Sequence, residues 1–408
     1  MADLLTRSAA AVDAVSPVPG APPAHRWNLR GLSLVSFAHG LSDFYSGLLP
    51  FVIFYVVTRE HAAPWVQGAL GFLWYLTSSV VQPLVGAYSD RKGRWWFMPG
   101  AIGLTVASVS LSGVVHSIPL LALCIVVGGL GSAIMHPEAG KYSAMLSGSR
   151  RAGGISIFQI GGQVGYALGP AVVAVLLARY GGNGTLMLLA PGLLLVGVLF
   201  ATMRALDRTA VRAHHAARAA APADGPVDRF GVGLLVASTG LRYFTSAAFM
   251  TYLPNLLVAR GMTLGEAGQV VSAFLLVSSI GLLAGGFLAD RAGAVAVSIA
   301  SLVLAAPCLA AFFVASGPLS IAFLMAGSVL LAVQNAPGVA LVQAMLPRNL
   351  GMALGLMNGV AFGVGSALVA VVGVAVGRAG PSAALFAVSF APLVAALPFF
   401  AVARRVRA

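Results

Sequence analysis

Apolar blocks of roughly twenty to thirty residues, parted by short polar stretches, recur along the whole chain and leave it few ways to fold. A helix of about twenty residues crosses the roughly 30 Å of hydrocarbon in a bilayer, and it satisfies its own backbone hydrogen bonds on the way. Only 9% of the 408 residues are charged, against about 25% in a typical soluble domain. The 49 glycines lie mostly inside the blocks, where they let membrane helices approach closely. The expected fold is therefore an all-α membrane protein with twelve transmembrane helices. Their spans read 29–57, 67–89, 97–115, 118–145, 152–178, 184–204, 231–258, 267–289, 294–316, 318–344, 350–376 and 381–402.

The net charge of +13 invites a nucleic-acid reading, but its distribution points elsewhere. With both termini on one side, 19 of the 24 Lys and Arg fall on that side, and only Arg59, Arg179, Arg260 and Arg378 face the other. That asymmetry is the positive-inside pattern; it places both termini in the cytoplasm and makes anionic lipid headgroups, not nucleic acid, the partner of the basic residues. The expected location is a bacterial cytoplasmic (inner) membrane, crossed many times. Residues 1–28 read as a disordered cytoplasmic arm without a signal peptide, 205–230 as a cytoplasmic linker, and 404–408 as a basic tail. Cys124 and Cys308 sit mid-block as apolar packing residues, and His214 and His215 in the linker lack further ligands, so no metal or cofactor is expected.

Shifting the chain against itself by 200 positions aligns three separate regions. GAYSDRKG (Gly86 to Gly93) falls on GFLADRAG (Gly286 to Gly293), DFYS (Asp43 to Ser46) on YFTS (Tyr243 to Ser246), and Ala344 to Leu346 repeats Ala144 to Leu146. One offset serving all three implies duplication of a six-helix unit, giving two pseudo-symmetric bundles, 29–204 and 231–403.

The residues Gly86, Asp90, Arg91, Gly93 and Arg94 resemble the loop motif between helices 2 and 3 of the major facilitator superfamily, echoed by Gly286, Asp290, Arg291 and Gly293. GGQVGYALGP, with Gly161, Gly165, Gly169 and Pro170, resembles the helix 5 motif of that superfamily's antiporters. Three further passages resemble its fosmidomycin-resistance-type exporters: His39 with Asp43, His136 to Glu138, and Gln343 to Leu356. The resemblance implies the major facilitator fold, with helices 1, 4, 7 and 10 around a central cavity, and a drug exporter that works as a monomer. By chemistry alone, the Gly86–Arg94 loop reads as a conformational latch. Its Asp90 can accept from a helix terminus and its arginines can hold lipid phosphate, or it is a plain basic loop. The glycines recurring every four residues in helix 5 read as a smooth packing face.

Few ionisable groups remain at membrane depth: His39, Asp43, His136, Glu138 and Arg242. Each is costly there unless it meets water or a partner, so each is a candidate for function. His39 and Asp43 share one helical face at i and i+4. They read either as a pair whose protonation changes during a cycle or as a satisfied bridge that fixes packing. Glu138 reads as a second proton site, as a lever tied to the inner gate or as a snorkelling carboxylate near the interface, and His136 as the group that orients it for proton coupling or as polar packing. Arg242 stays charged and suits an anionic cargo or Asp43 as its electrostatic partner. Tyr45, Tyr243, Gln159, Gln163, Gln334, Asn335 and Asn358 are candidate cavity groups, with Trp74 and Gln343 beside them; all are equally consistent with helix packing.

The sequence contains no phosphate-binding loop and no catalytic or metal-ligand cluster, so no enzyme is expected and an ion gradient must supply the energy. The function expected is secondary active transport. The leading reading is a proton-coupled antiporter exporting a small drug-like molecule or metabolite, anions included; the alternative is a proton symporter importing an anion or nutrient. A lipid translocator or a non-transporting receptor ranks below both.

Overall fold

The computed structural model describes residues 28–82, 84–85, 88, 94–147, 151–217, 228–346 and 355–407, all helix, turn or coil. In the first half the helices are α1 (Leu29–Arg59), α2 (Pro64–Tyr75, continued by a π-helical turn Leu76–Val80), α3 (Phe97–Ser112), α4 (Ile118–Leu146), α5 (Arg151–Tyr180) and α6 (Leu189–Ala217). In the second they are α7 (Arg229–Ala259), α8 (Leu264–Ala292), α9 (Ala294–Val314) and α10 (Gly317–Met345). Next come α11 (a π-helical turn Gly355–Val360, then 361–379) and α12 (381–407). Eight stretches are long and apolar enough to cross a membrane, and one of them, Ala361–Val402, has 42 residues. At about 1.5 Å per residue it would be some 60 Å long, twice a bilayer core. Gly380, at φ 80°, breaks it into α11 and α12. The fold is an all-α multi-pass membrane protein of two six-helix bundles. Helix α6 continues to Ala217, so part of the segment read as linker is helical.

The 200-residue repeat is visible atom by atom. Asn28 and Asp228 both cap a 31-residue helix, accepting from Gly31 N at 3.0 Å and Gly231 N at 2.9 Å. In the first half α1 packs on α5, where a methyl group on Gly165 would overlap the Gly40 carbonyl oxygen; in the second, α7 packs on α11 and Gly365 stands in the same relation to Gly240. Such backbone-to-backbone approach needs residues without Cβ, which is why these four positions are glycine. Large apolar side chains cover the outside, among them Leu194, Phe287, Val314 and Val371, each more than 60% exposed. On a water-facing protein that surface would be a liability; on this one it faces lipid.

Consecutive helices alternate in direction, so the described ends of the chain lie at one end of the bundle, here the near end. The hydrogen bonds between described residues that join the two halves all lie at the far end. Gln67 and Asn255 exchange side-chain amide bonds at 3.0 and 3.1 Å, and Gln67 also donates to the Thr251 carbonyl. Tyr252 donates to Pro64 O at 3.1 Å, and the Ala171 amide to Ser272 Oγ at 2.8 Å. Gly68 and Gly268 press their backbones onto the opposite half as well. The halves are therefore sealed against one another at the far end.

Candidate functional site: a polar cavity between the halves

Between the two bundles lies a cavity of about 410 Å³, within the size range of small-molecule sites. Its wall carries His39, Asp43, His136, Gln159, Gln163, Tyr166, Arg242, Tyr243 and Asn335, with Trp74 and the hydroxyls of Ser78 and Ser79 from the π-helical turn of α2. π-Helical turns inside α-helices are frequent at functional sites. Here the two of them, in α2 and α11, meet across the halves.

The first-half charge is a carboxylate held between two imidazoles. His39 Nε2 lies 3.2 Å from Asp43 Oδ2, and His136 Nε2 lies 3.3 Å from Asp43 Oδ1. The other nitrogen of each ring is committed. His39 Nδ1 donates to Phe158 O at 2.9 Å, and His136 Nδ1 lies 2.9 Å from Ser132 O and 3.3 Å from Ser132 Oγ. A carbonyl oxygen only accepts, so His39 Nδ1 carries hydrogen, while His136 Nδ1 can donate to Ser132 O or accept from the Ser132 hydroxyl. A neutral ring with its proton on Nδ1 would point its Nε2 lone pair at a carboxylate. Each Nε2–O contact therefore closes only with a proton in it, and the triad has two places for protons beyond those on Nδ1. The three groups could also reach a divalent ion, with donor atoms all within 4.8 Å of one another, but hydrogen-bond-length Nε2–O contacts need no ion to close them.

The positions of these rings follow from helix packing. His39 stacks on Phe158 with centroids 4.0 Å apart and meets His136 edge-on at 5.0 Å. A methyl group on Gly162 would overlap the His39 ring, so this glycine gives the imidazole its room. Gly161, Gly165 and Gly169 all lie on α1, at Ser36, Gly40 and Gly47, while Pro170 at the far end meets Gly268 of the other half. The glycine-rich face of α5 thus carries His39 to its place.

The second-half charge is Arg242, which is 4% exposed. Its guanidinium stands 4.0 Å over the Tyr243 ring, and its Nε and Nη2 have no hydrogen-bond partner. Asp43 and Arg242 share the cavity, yet no ion pair joins them: the carboxylate is taken up by the two histidines. The expected electrostatic partnership is therefore indirect in this conformation. Tyr75, Phe362 and Tyr243 form an aromatic chain across the halves, with centroids 4.6 and 4.4 Å apart.

Other expected groups lie elsewhere. Glu138 is 2% exposed, away from the cavity wall, and meets Lys141 Nζ at 3.4 Å; His136, next but one along α4, turns to Asp43 instead. Tyr45 is 2% exposed and donates to Leu188 O at 2.6 Å within its own bundle. Gln334 is fully buried beside Thr239, off the cavity wall. Of the loop motif, Gly86, Asp90, Arg91 and Gly93 lie outside the described residues, as does the side chain of Asn358. Arg94 and Arg291 are exposed near the near end, and Asp290 makes no ion pair among the described residues. Sequence reading missed Gly162, Tyr166, Ser78 and the Gln67–Asn255 pair. Gly162 had a signal, since it sits one place from the glycine face and beside the glutamine at 163; the rest carried none.

The family model described as Major Facilitator Superfamily matches residues 32–231 and 235–408, close to the two bundles. The chain is 28% identical over 379 residues to the fosmidomycin resistance protein of Escherichia coli (strain K12), covering 90% of this chain and 92% of that protein. It is 28% identical over 387 residues to YfnC of Bacillus subtilis (strain 168), named an uncharacterized MFS-type transporter, covering 90% and 91%. Among solved structures, a bacterial homolog of the human lysosomal transporter Spinster, in an inward-facing and occupied conformation, superposes with a TM-score of 0.71 at 15% identity, covering 92% of this chain and 96% of that one. A point mutant of the nucleoside transporter NupG gives 0.70 at 16%, covering 91% and 98%. Two six-helix halves with matching helix caps and glycine contacts, a polar cavity between them and a family match through both are one argument, and its conclusion is that this chain belongs to the Major Facilitator Superfamily and is one of its membrane transporters.

Proposed function

We propose that the protein is a proton-coupled antiporter that exports a small molecule across a bacterial inner membrane by alternating access, with both termini in the cytoplasm. With the termini inside, the far-end seal faces outward and the cavity belongs to the inward-facing half of the cycle. Rocking one bundle against the other would open the seal and close the near end.

The observation that carries the coupling is the Asp43 clamp. The two Nε2–carboxylate contacts close with protons in them and loosen as protons leave, so the geometry of the clamp follows its proton load. Each proton taken up raises the charge of the cavity wall by one. Protonation of the wall and cargo bound near Arg242 therefore influence one another, and the protein exchanges them where it changes access with protons or with cargo bound but not with both. Glu138, tied to Lys141 on the inner part of α4, stays a second candidate proton site, and Gln159, Gln163, Asn335 and Tyr243 are the polar and aromatic groups offered to cargo. Gly86–Arg94 and its echo at Asp290 and Arg291 would latch the near end in the opposite state.

The test uses everted and right-side-out membrane vesicles with labelled fosmidomycin, the compound in the name of the Escherichia coli relative. Accumulation in everted vesicles driven by an acid interior is expected, with Asp43→Asn losing that dependence. Wild-type-like gradient-driven transport by Asp43→Asn would remove Asp43 from the coupling step. Accumulation in right-side-out vesicles alone would reverse the direction.

A further inference from the structure

We infer that Arg242 is the seat of a forked oxyanion on the cargo, a carboxylate or phosphonate, bound side-on by Nε and Nη2. This rests on the transporter reading and adds the chemistry of the group that the cavity recognises. The two unpartnered nitrogens of Arg242 are not an arbitrary pair. In a guanidinium the N–H of Nε and one N–H of Nη2 run parallel along one edge, the edge that meets both oxygens of a carboxylate or phosphonate. The Tyr243 ring covers the face of the same group at 4.0 Å, which leaves the edge as the recognition element.

Three further facts bear on it. Arg242 is only 4% exposed, so bulk water does not serve these donors as it would at a surface. The residue lies on the wall of the cavity, while its Nε and Nη2 are buried in the present conformation, so a ligand there engages that edge once the side chain turns toward the cavity. The carboxylate on the same cavity wall, Asp43, is engaged by His39 and His136. A buried cation with one complete edge unserved, in a cavity large enough for a small molecule, fits an oxyanion supplied from outside. A spherical anion satisfies the charge but not the two parallel donors. A body attached to the oxyanion would meet Tyr75, Phe362 and Tyr243, which makes an aryl or apolar portion compatible.

The experiment is equilibrium binding to the purified full chain in neutral detergent without added lipid, read by fluorescence of tryptophan, since Trp74 lines the cavity, and by thermal unfolding. The probes are benzoate and phenylphosphonate, against neutral benzamide and against chloride. Saturable binding of both oxyanions is expected, with neither control binding in the same range. Arg242→Lys keeps the charge without the fork and should weaken oxyanion binding about tenfold or more, the worth of one charge-assisted hydrogen bond. Arg242→Gln should abolish it while unfolding no earlier than the wild type, because an unpaired buried charge is removed. If Arg242→Gln does not fold, Arg242→Lys carries the test. Equal affinity in wild type and Arg242→Lys, equal binding of benzamide and benzoate, or no saturable oxyanion binding would each overturn the proposal. No gradient enters the measurement, so its failure leaves proton coupling standing, and a failure of coupling leaves the oxyanion seat standing.

Discussion

Replacing Asn255 with alanine should open the far end of the bundle. In the present conformation Asn255 exchanges two hydrogen bonds with Gln67, at 3.0 and 3.1 Å, across the junction of α7 and α2. Gln67 is 1% exposed and keeps only its bond to the Thr251 carbonyl once Asn255 is shortened. Two lost bonds at about 1 kcal/mol net each weaken the sealed state by about 2 kcal/mol, because in the opened state water serves both amides. At 1.4 kcal/mol per tenfold, the equilibrium shifts about 30-fold toward far-end-open. A minor open state of about 1% would rise to about a quarter of the population. The measurement is a distance distribution between spin labels at Tyr180→Cys and Leu319→Cys, exposed positions at the far ends of α5 and α10, with Cys124 and Cys308 replaced by serine. A longer-distance population is expected in Asn255→Ala and in Gln67→Ala. The double variant should add little to either single one, because both remove one interaction. An unchanged distribution in all three would refute the view that this amide pair holds the seal.

Two other perturbations separate packing from chemistry. Gly162→Ala pushes a methyl group into the His39 ring and should destabilise the protein by about 1–3 kcal/mol and disrupt the Asp43 clamp; Gly140→Ala, with nothing within 4 Å, should be neutral or stabilising in the same thermal-unfolding assay. Similar midpoints for the two variants would show that Gly162 does not set the ring. Tyr45→Phe removes the 2.6 Å bond to Leu188 O and should cost about 1 kcal/mol of stability with cargo affinity unchanged; altered affinity would place Tyr45 at the cargo after all.

Much of the site was readable from local rules and much was not, for a geometric reason. His39 and Asp43 are four residues apart, and helix geometry alone puts them on one face. His136 and Glu138 are two residues apart, about 200° around α4 at 3.6 residues per turn. Both are ionisable, so periodicity cannot say which one turns inward; the rotation of α4 against its neighbours sends His136 to Asp43 and Glu138 to Lys141. Tyr45 and Gln334 had the right depth and the wrong azimuth for the same reason. The Gln67–Asn255 pair had no symmetry signal either, since the residues 200 positions away are Ala267 and Tyr55.

Hydropathy, charge placement and the 200-residue repeat by themselves determined a twelve-span membrane protein of two like halves, because the cost of burying charge in hydrocarbon acts on each segment alone. The contacts between segments came only from the tertiary structure. It closed the far end, gave Asp43 to two histidines rather than to Arg242, and left one edge of Arg242 without a hydrogen-bond partner. Those outcomes depend on how helices distant in sequence rotate and lean on one another. Each rotation is a compromise among many weak contacts that no single stretch of sequence contains.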